Sequence, residues 1–149
     1  MNLKKWFKIA LVSGGFDPIH SGHIRMFKQA KILAPYLIVG LNSDAWLTEK
    51  KGKPFMPMSE RKMIVKHLEM VDDVIEWDDS DGSACGAIQH ILDTTPYDVV
   101  FCNGGDRTKE NIPELDGFID NDRVNFAWGV GGHEKSNSSS QILKKWSER

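Results

Sequence analysis

Apolar runs and amphipathic stretches alternate along this 149-residue chain, and that alternation predicts an α/β fold. The architecture expected is a three-layer sandwich with a five-stranded parallel sheet between helices. Three observations carry the prediction. Five short apolar runs are spaced far enough apart to leave room for helices. The first two, Ile9-Ala10-Leu11-Val12 and Tyr36 to Leu41, bracket an amphipathic stretch and so form a βαβ unit, whose crossover is right-handed. Asp98-Val99-Val100-Phe101-Cys102 is nearly unbroken apolar, as a central parallel strand covered on both faces should be.

Length and composition bound the rest. A chain of this size supports one domain with a core and not two, so residues 1–149 are expected to form a single domain. Hydrophobic residues at 40% and charged residues at 27% fit a globular protein. The formal charge of −2 gives no basic footprint for nucleic acid. No stretch reaches the roughly 20 apolar residues of a membrane span, and the basic N-terminus lacks the apolar core of a signal peptide. Cys85 and Cys102 have no metal-binding spacing and read as small buried thiols of a reducing, cytoplasmic compartment.

The first strand runs into Ser13-Gly14-Gly15-Phe16-Asp17-Pro18-Ile19-His20-Ser21-Gly22-His23, and Ile24 to Ala30 then reads as an amphipathic helix. A glycine turn between a strand and a helix is where open α/β sheets bind anions, because backbone N–H groups at the helix start have no partner within the helix. His20 and His23, three residues apart, project from one face if the first turn is helical. Their imidazole N–H groups suit phosphate oxygens, all the more as charge builds up in a reaction. The stretch resembles the signature of the nucleotidyltransferase superfamily that holds cytidylyltransferases and small adenylyltransferases. Its pattern, Gly-x-Phe-Asp-x-x-His-x-Gly-His, is filled at each fixed place by Gly14, Phe16, Asp17, His20, Gly22 and His23. The resemblance implies a Rossmann-like sheet, catalytic roles for His20 and His23, and nucleotide contacts from Gly14, Gly15, Phe16, Asp17 and Gly22.

Past the second strand, Ser43 or Asp44 can cap a short helix through Trp46 and Leu47. Glu49 to Pro54 reads as a basic loop too rich in Gly and Pro for helix. In the resembling family a lysine-rich loop here closes over the phosphates; Lys51 fits that catalytic place best, with Lys50 and Lys53 as alternatives. Ser59 is a candidate cap for a helix whose stripe Met63, Ile64, His67, Leu68 and Val71 faces the core, His67 being packed within it. Arg61, beside Glu60, is a candidate for holding substrate phosphate or else a surface ion pair. Val74 to Trp77 is the third strand, and the acidic run 78–81 after it reads as a loop rather than a metal site. The helix from Ala84 to Asp93 buries Ala87, Ile88, Ile91 and Leu92, leaving His90 exposed.

The fourth strand, Asp98 to Cys102, ends in Asn103-Gly104-Gly105-Asp106-Arg107. Its Gly-Gly-Asp resembles that of heptose-phosphate adenylyltransferases, which implies nucleotide contacts from Gly105 and Asp106 and substrate contact from Arg107; a plain turn is the structural alternative. Val124 to Trp128 is the fifth strand. Lys135 and Ser138-Ser139-Ser140 then precede a helix from Gln141 to Trp146, with Ile142, Leu143 and Trp146 expected to pack inward. Serines opening a helix offer caps and phosphate donors. They resemble the superfamily's last motif and so are assigned, with Lys135, to the nucleotide's β- and γ-phosphates. The arginine that opens this motif in glycerol- and choline-phosphate cytidylyltransferases is missing here.

No nucleophile–base pair stands out, and nucleotidyl transfer needs none: an acceptor phosphate attacks the α-phosphorus of an NTP and pyrophosphate leaves. The resemblance implies Mg²⁺ carried mainly by substrate oxygens, with Asp17 or Asp106 behind it and no dedicated metal ligand. ATP with a sugar phosphate is favoured slightly, CTP with a glycerol or polyol phosphate being the alternative. A non-catalytic nucleotide-binding module is the reading from a different class. The resemblance also implies a homodimer.

Overall fold

The computed structural model describes residues 7–105, 112–132 and 138–148. Five parallel strands, β1 (Lys8–Gly14), β2 (Tyr36–Leu41), β3 (Asp73–Ile75), β4 (Asp98–Cys102) and β5 (Val124–Ala127), form one sheet in the order β3-β2-β1-β4-β5. The helices are α1 (Ser21–Leu33), α2 (Asp44–Lys51), α3 (Met58–Lys66), α4 (Cys85–Thr94), α5 (Pro113–Phe118) and α6 (Ser139–Ser147). The three-layer, Rossmann-like arrangement with five parallel strands is the one expected.

Side-chain alternation along the central strand divides the core. Ala10 and Val12 of β1, with Val39 and Val100, meet Phe27 and Ala30 of α1 and Val65 of α3. Ile9 and Leu11, with Ile38, Val99 and Phe101, meet Ala87, Ile88 and Ile91 of α4 and Phe118 of α5. A strand whose successive residues serve opposite layers has no solvent face, which is why β1 and β4 lack polar alternation. Each fully buried aliphatic side chain contributes about 1.5–3 kcal/mol. From β1 the chain first builds outward to β2 and β3, then returns past β1 to β4. That reversal opens a crevice at the carboxyl ends of β1 and β4.

Several local expectations are corrected. Lys50 and Lys51 are helical: Ser43 caps α2 by accepting from the Trp46 N–H, and the helix runs on until Gly52. Two lysines in a last turn complement the helix dipole, which a loop reading overlooks. In α3 the cap is Pro57, not Ser59, and the helix stops before the long stripe can form. Arg61 and Val65 are its buried residues, Met63 is exposed, and so is His67, whose Nδ1 lies 2.8 Å from the Met63 carbonyl. β3 is shorter than expected and leaves Trp77 beyond its end. No residue of α6 is buried and Trp146 is 62% exposed, so this helix does not pack into the core. Cys85 is half-buried rather than buried. Cys102 is buried, and burial pushes its thiol up to about 12. Among the described residues no helix is long and apolar enough to cross a membrane.

Candidate active site

A cleft of about 410 Å³ lies along the crevice at the strand ends. Its floor is the turn after β1. Phe16, a non-glycine residue at φ 51, holds that turn in the left-handed region, a conformation that needs support from its surroundings. Buried edge-to-face contacts with Phe27 at 5.2 Å and with His23 at 4.8 Å supply that support.

The two histidines form the start of α1. His20 is the N-cap: its Nδ1 accepts the Gly22 N–H at 3.1 Å, while the His23 Nδ1 accepts the His20 N–H at 3.2 Å. This reciprocal pair is a capping box made of imidazoles. A ring that accepts at Nδ1 carries its proton on Nε2, so both histidines present Nε2–H as their donor. The rings are stacked, centroids 3.7 Å apart, and both line the cleft. A Cβ at Gly22 would come within 2.9 Å of the His20 ring, so the glycine is what seats that imidazole.

Asp17 and Arg61 wire the floor to its surroundings. Asp17 is buried and accepts the N–H groups of Phe55 and Met56, each at 2.6 Å, as well as the Lys51 ammonium at 2.8 Å. Lys51 also donates to the Asp17 carbonyl at 2.6 Å. The carboxylate thus clamps the end of α2 and the following loop onto the histidine turn. Arg61, expected at substrate phosphate or on the surface, is 0% exposed and does not line the cleft. Its guanidinium donates to the carbonyls of Met56, Gly15 and Asn42 at 2.8–3.0 Å and to Asp44 at 2.6 Å. Three loops that surround the site hang on this one side chain.

The remaining walls come from distant segments. Lys50 and Lys51 line the cleft and Lys53 does not; Lys50 lies over the Trp46 ring at 4.6 Å. Gly104 and Gly105 lie at the end of β4, where the Asn103 N–H donates to the Ala127 carbonyl and the Val130 N–H to the Asn103 carbonyl, both at 2.9 Å. Gly131, at φ +88, lets the strand-end turn approach α1 so closely that a Cβ would meet the Met26 Cα at 2.9 Å. The start of α6 reaches the histidine turn through Ser139 Oγ, which donates to the Pro18 carbonyl at 2.6 Å. Ser138 caps α6 by accepting the Gln141 N–H, and Ser138, Ser139 and Ser140 all line the cleft.

Of the residues singled out in the sequence, Gly14, Gly15, Phe16, Asp17, His20, Gly22, His23, Lys51, Gly105 and the three serines therefore share one cleft. Asp106, Arg107 and Lys135 lie outside the described residues. Sequence reading missed Arg25, Asn42, Trp46, Trp77, Ser83 and Glu114 as lining residues. Arg25 was within reach of periodicity, standing one helical turn beyond Ser21 and Gly22. Asp79, in the acidic run, is also more than loop filler. Burial pushes its carboxyl up, but hydrogen bonds from Asn42 and from the Ser43 hydroxyl and N–H outweigh that and hold it below the usual carboxylate range. It anchors the start of α2.

The arrangement offers two Nε2–H donors, two lysines, Arg25 and the N-termini of α1 and α6 around one cavity, in a chain that is net negative. Such a set of donors and positive ends is electrostatically suited to polyanions. Among the described residues no cluster of three or more His, Cys, Asp or Glu side chains could cage a metal ion, and Asp17 is engaged by three donors. The described residues of the cleft thus offer no protein-held cage for a cation.

A family model described as cytidylyltransferase-like matches residues 11–144. The bifunctional protein HldE of Geobacter metallireducens is 31% identical over 145 residues, 95% of this chain and 28% of that protein. Ethanolamine-phosphate cytidylyltransferase of Dictyostelium discoideum is 43% identical over 70 residues, 46% of this chain and 19% of that protein. The chain thus spans about a quarter of the length of the curated relatives it matches. The crystal structure of a lipopolysaccharide core biosynthesis protein from Thermoplasma volcanium superposes with a TM-score of 0.62 at 22% identity, covering 82% of this chain and 93% of that one. A Vibrio parahaemolyticus structure reaches a TM-score of 0.67 at 14% identity, covering 95% and 88%. These two likenesses establish the fold.

Proposed function

Because this chain belongs to the cytidylyltransferase-like family, we propose that it is a nucleotidyltransferase moving a nucleoside monophosphate from an NTP to a sugar phosphate. An oxygen of the acceptor phosphate forms the new bond to the α-phosphorus. The bond from that phosphorus to the β-phosphate bridge breaks, and its electron pair leaves with pyrophosphate. The single observation that carries this reading is the stacked imidazole pair, each ring accepting at Nδ1, in the cleft to which Ser139 ties the start of α6.

The protein's task in such a transfer is positioning and charge stabilisation, not covalent chemistry. His20 and His23 donate to the α-phosphate and the bridging oxygen as charge moves onto them. Lys51, already ion-paired to Asp17, and Lys50 beside it offset the repulsion between the two anionic substrates. Ser138, Ser139 and Ser140 with the α6 N-terminus hold the departing pyrophosphate. Mg²⁺, where it takes part, arrives on the phosphates of the NTP.

ATP is the favoured donor, on the Gly104-Gly105 turn of the heptose-phosphate type. CTP with a polyol phosphate is the second reading, favoured by the 43% identity to a cytidylyltransferase over 70 residues. Pyrophosphate release from ATP, CTP and GTP, each with Mg²⁺ and a panel of sugar 1-phosphates and polyol phosphates, tests both. Release with one base and one acceptor class is the expected result. Nucleotide binding, seen as a thermal shift, without release from any pair would leave a binding module instead.

A further inference from the structure

At the other end of the sheet from the cleft, where the strands begin, lies a hollow of about 280 Å³. Its floor is the sheet itself, Ile9, Ile38 and Ile75, and one wall is the last turn of α4 with its C-cap Thr95. Phe7, Tyr36 and Tyr97 add three aromatic rings. Between centroids, Phe7 stands 4.5 Å from Tyr97 and 6.3 Å from Tyr36.

Asp73 is out of place on such a surface. It pairs with Ile38 in the parallel register, and partners in register share a face, so its side chain stands with the isoleucines on the α4 side of the sheet. Its Oδ1 accepts the Val74 N–H at 2.8 Å. Among the described residues no cation is within ion-pair distance of it, whereas Asp72 beside it is paired with Lys31. Arg123, which donates to the carbonyls of Leu92, Thr95 and Tyr97, does not line the hollow. The negative charge is felt inside: burial, then Asp73 and Asp72, push the Tyr36 hydroxyl up, with Lys31 opposing them.

A carboxylate among aromatic rings, with no lysine or arginine in the described lining, narrows the ligand chemistry. An anion is repelled. A metal ion meets a single carboxylate and no ligand set. A neutral apolar molecule covers the isoleucines and leaves the charge unpaired. An organic ammonium ion satisfies both parts, since aromatic faces attract a cation and its C–H surface suits the floor.

We propose that this hollow is a binding site for a small amphiphilic organic cation, an ammonium group carried on an apolar body, separate from the cleft at the strand ends. Phenethylammonium is the probe, with phenethyl alcohol as its neutral counterpart of similar shape. Each is titrated into the isotope-labelled full chain and followed by amide NMR. Saturable shifts at the amides of Ile38, Asp73 and Tyr97 are expected. The cation should bind roughly 3- to 30-fold more tightly than the alcohol, the combined worth of an exposed charge contact and a cation–π contact. Asp73→Asn keeps an oxygen for the Val74 N–H and should erase that margin while leaving the alcohol's affinity unchanged. Raised salt should shrink the same margin in the parent chain. Tyr36→Leu, which keeps apolar area but no π face, should weaken the cation more than the alcohol. Equal affinity for the two probes, a margin that survives Asp73→Asn, or shifts confined to the histidine cleft would each overturn the site. Binding of neither probe would overturn it too, and would leave Asp73 as a charge guarding the sheet edge at β3.

Discussion

The two walls of the cleft are held by different means. The histidine turn is wired into the body of the protein: Phe16 against Phe27, Asp17 clamping residues 51, 55 and 56, and Arg61 collecting three carbonyls and Asp44. The second wall is the start of α6, a helix with no buried residue, whose Ser139 donates to the Pro18 carbonyl of the turn. One wall is therefore part of the folding unit, and the other is an element docked on it. Substitutions of the wiring in the first, at Asp17 or Arg61, should change stability together with activity. Substitutions in the second should change ligand binding and leave the fold alone.

Arg61→Met tests the wired wall most severely. It leaves the carbonyls of Gly15, Asn42 and Met56 without their donor, at roughly 1–3 kcal/mol each, while Asp44, with a partly exposed side chain, can rehydrate. A loss of about 3–5 kcal/mol in urea unfolding is expected. A loss below 1 kcal/mol would mean that the loops around the cleft hold themselves, and the contrast between the walls would go with it.

Within the same wall, chemistry and scaffolding can be separated at His20. Asparagine is a good N-cap residue and can accept the Gly22 N–H as the imidazole does, but it carries no Nε2–H. His20→Asn should thus keep stability within about 1 kcal/mol while kcat falls on the order of 10²–10³. Near-normal kcat in this variant would remove the imidazole from the reaction.

How much of this was legible in the sequence follows the range of the interactions. The strands, α4 and the glycine–histidine turn are set by neighbours within a few residues, and pattern alone located them. Arg61 was misread because a guanidinium is buried only where carbonyls from residues 15, 42 and 56 converge, and no local pattern records that convergence. Asp17 fits the motif, but its partners at 51, 55 and 56 are likewise remote in sequence. Glu114 gave no signal at all, since a Pro-Glu pair in a short helix looks like ordinary surface. The stripe in α6 misled for a different reason: amphipathic spacing says that a helix has an apolar face, not that anything in the same chain covers it.

The docked wall gives the gentlest test of the contrast. Ser139→Ala removes one neutral hydrogen bond, worth about 0.5–1.5 kcal/mol, between α6 and the histidine turn. The Ser138 cap stays, so the helix itself persists. If the serines serve the nucleotide's outer phosphates, the KM for the NTP should rise by roughly 2- to 13-fold, that same energy expressed as an affinity. The acceptor KM and the urea midpoint should stay where they are, because the bond broken lies between a docked helix and the fold rather than within the fold. Parallel kinetics with varied NTP and varied acceptor, alongside one unfolding curve, distinguish the outcomes. A drop in kcat comparable to that of His20→Asn would put the hydroxyl in the reaction itself. A drop in stability comparable to that of Arg61→Met would mean that α6 belongs to the folding unit after all.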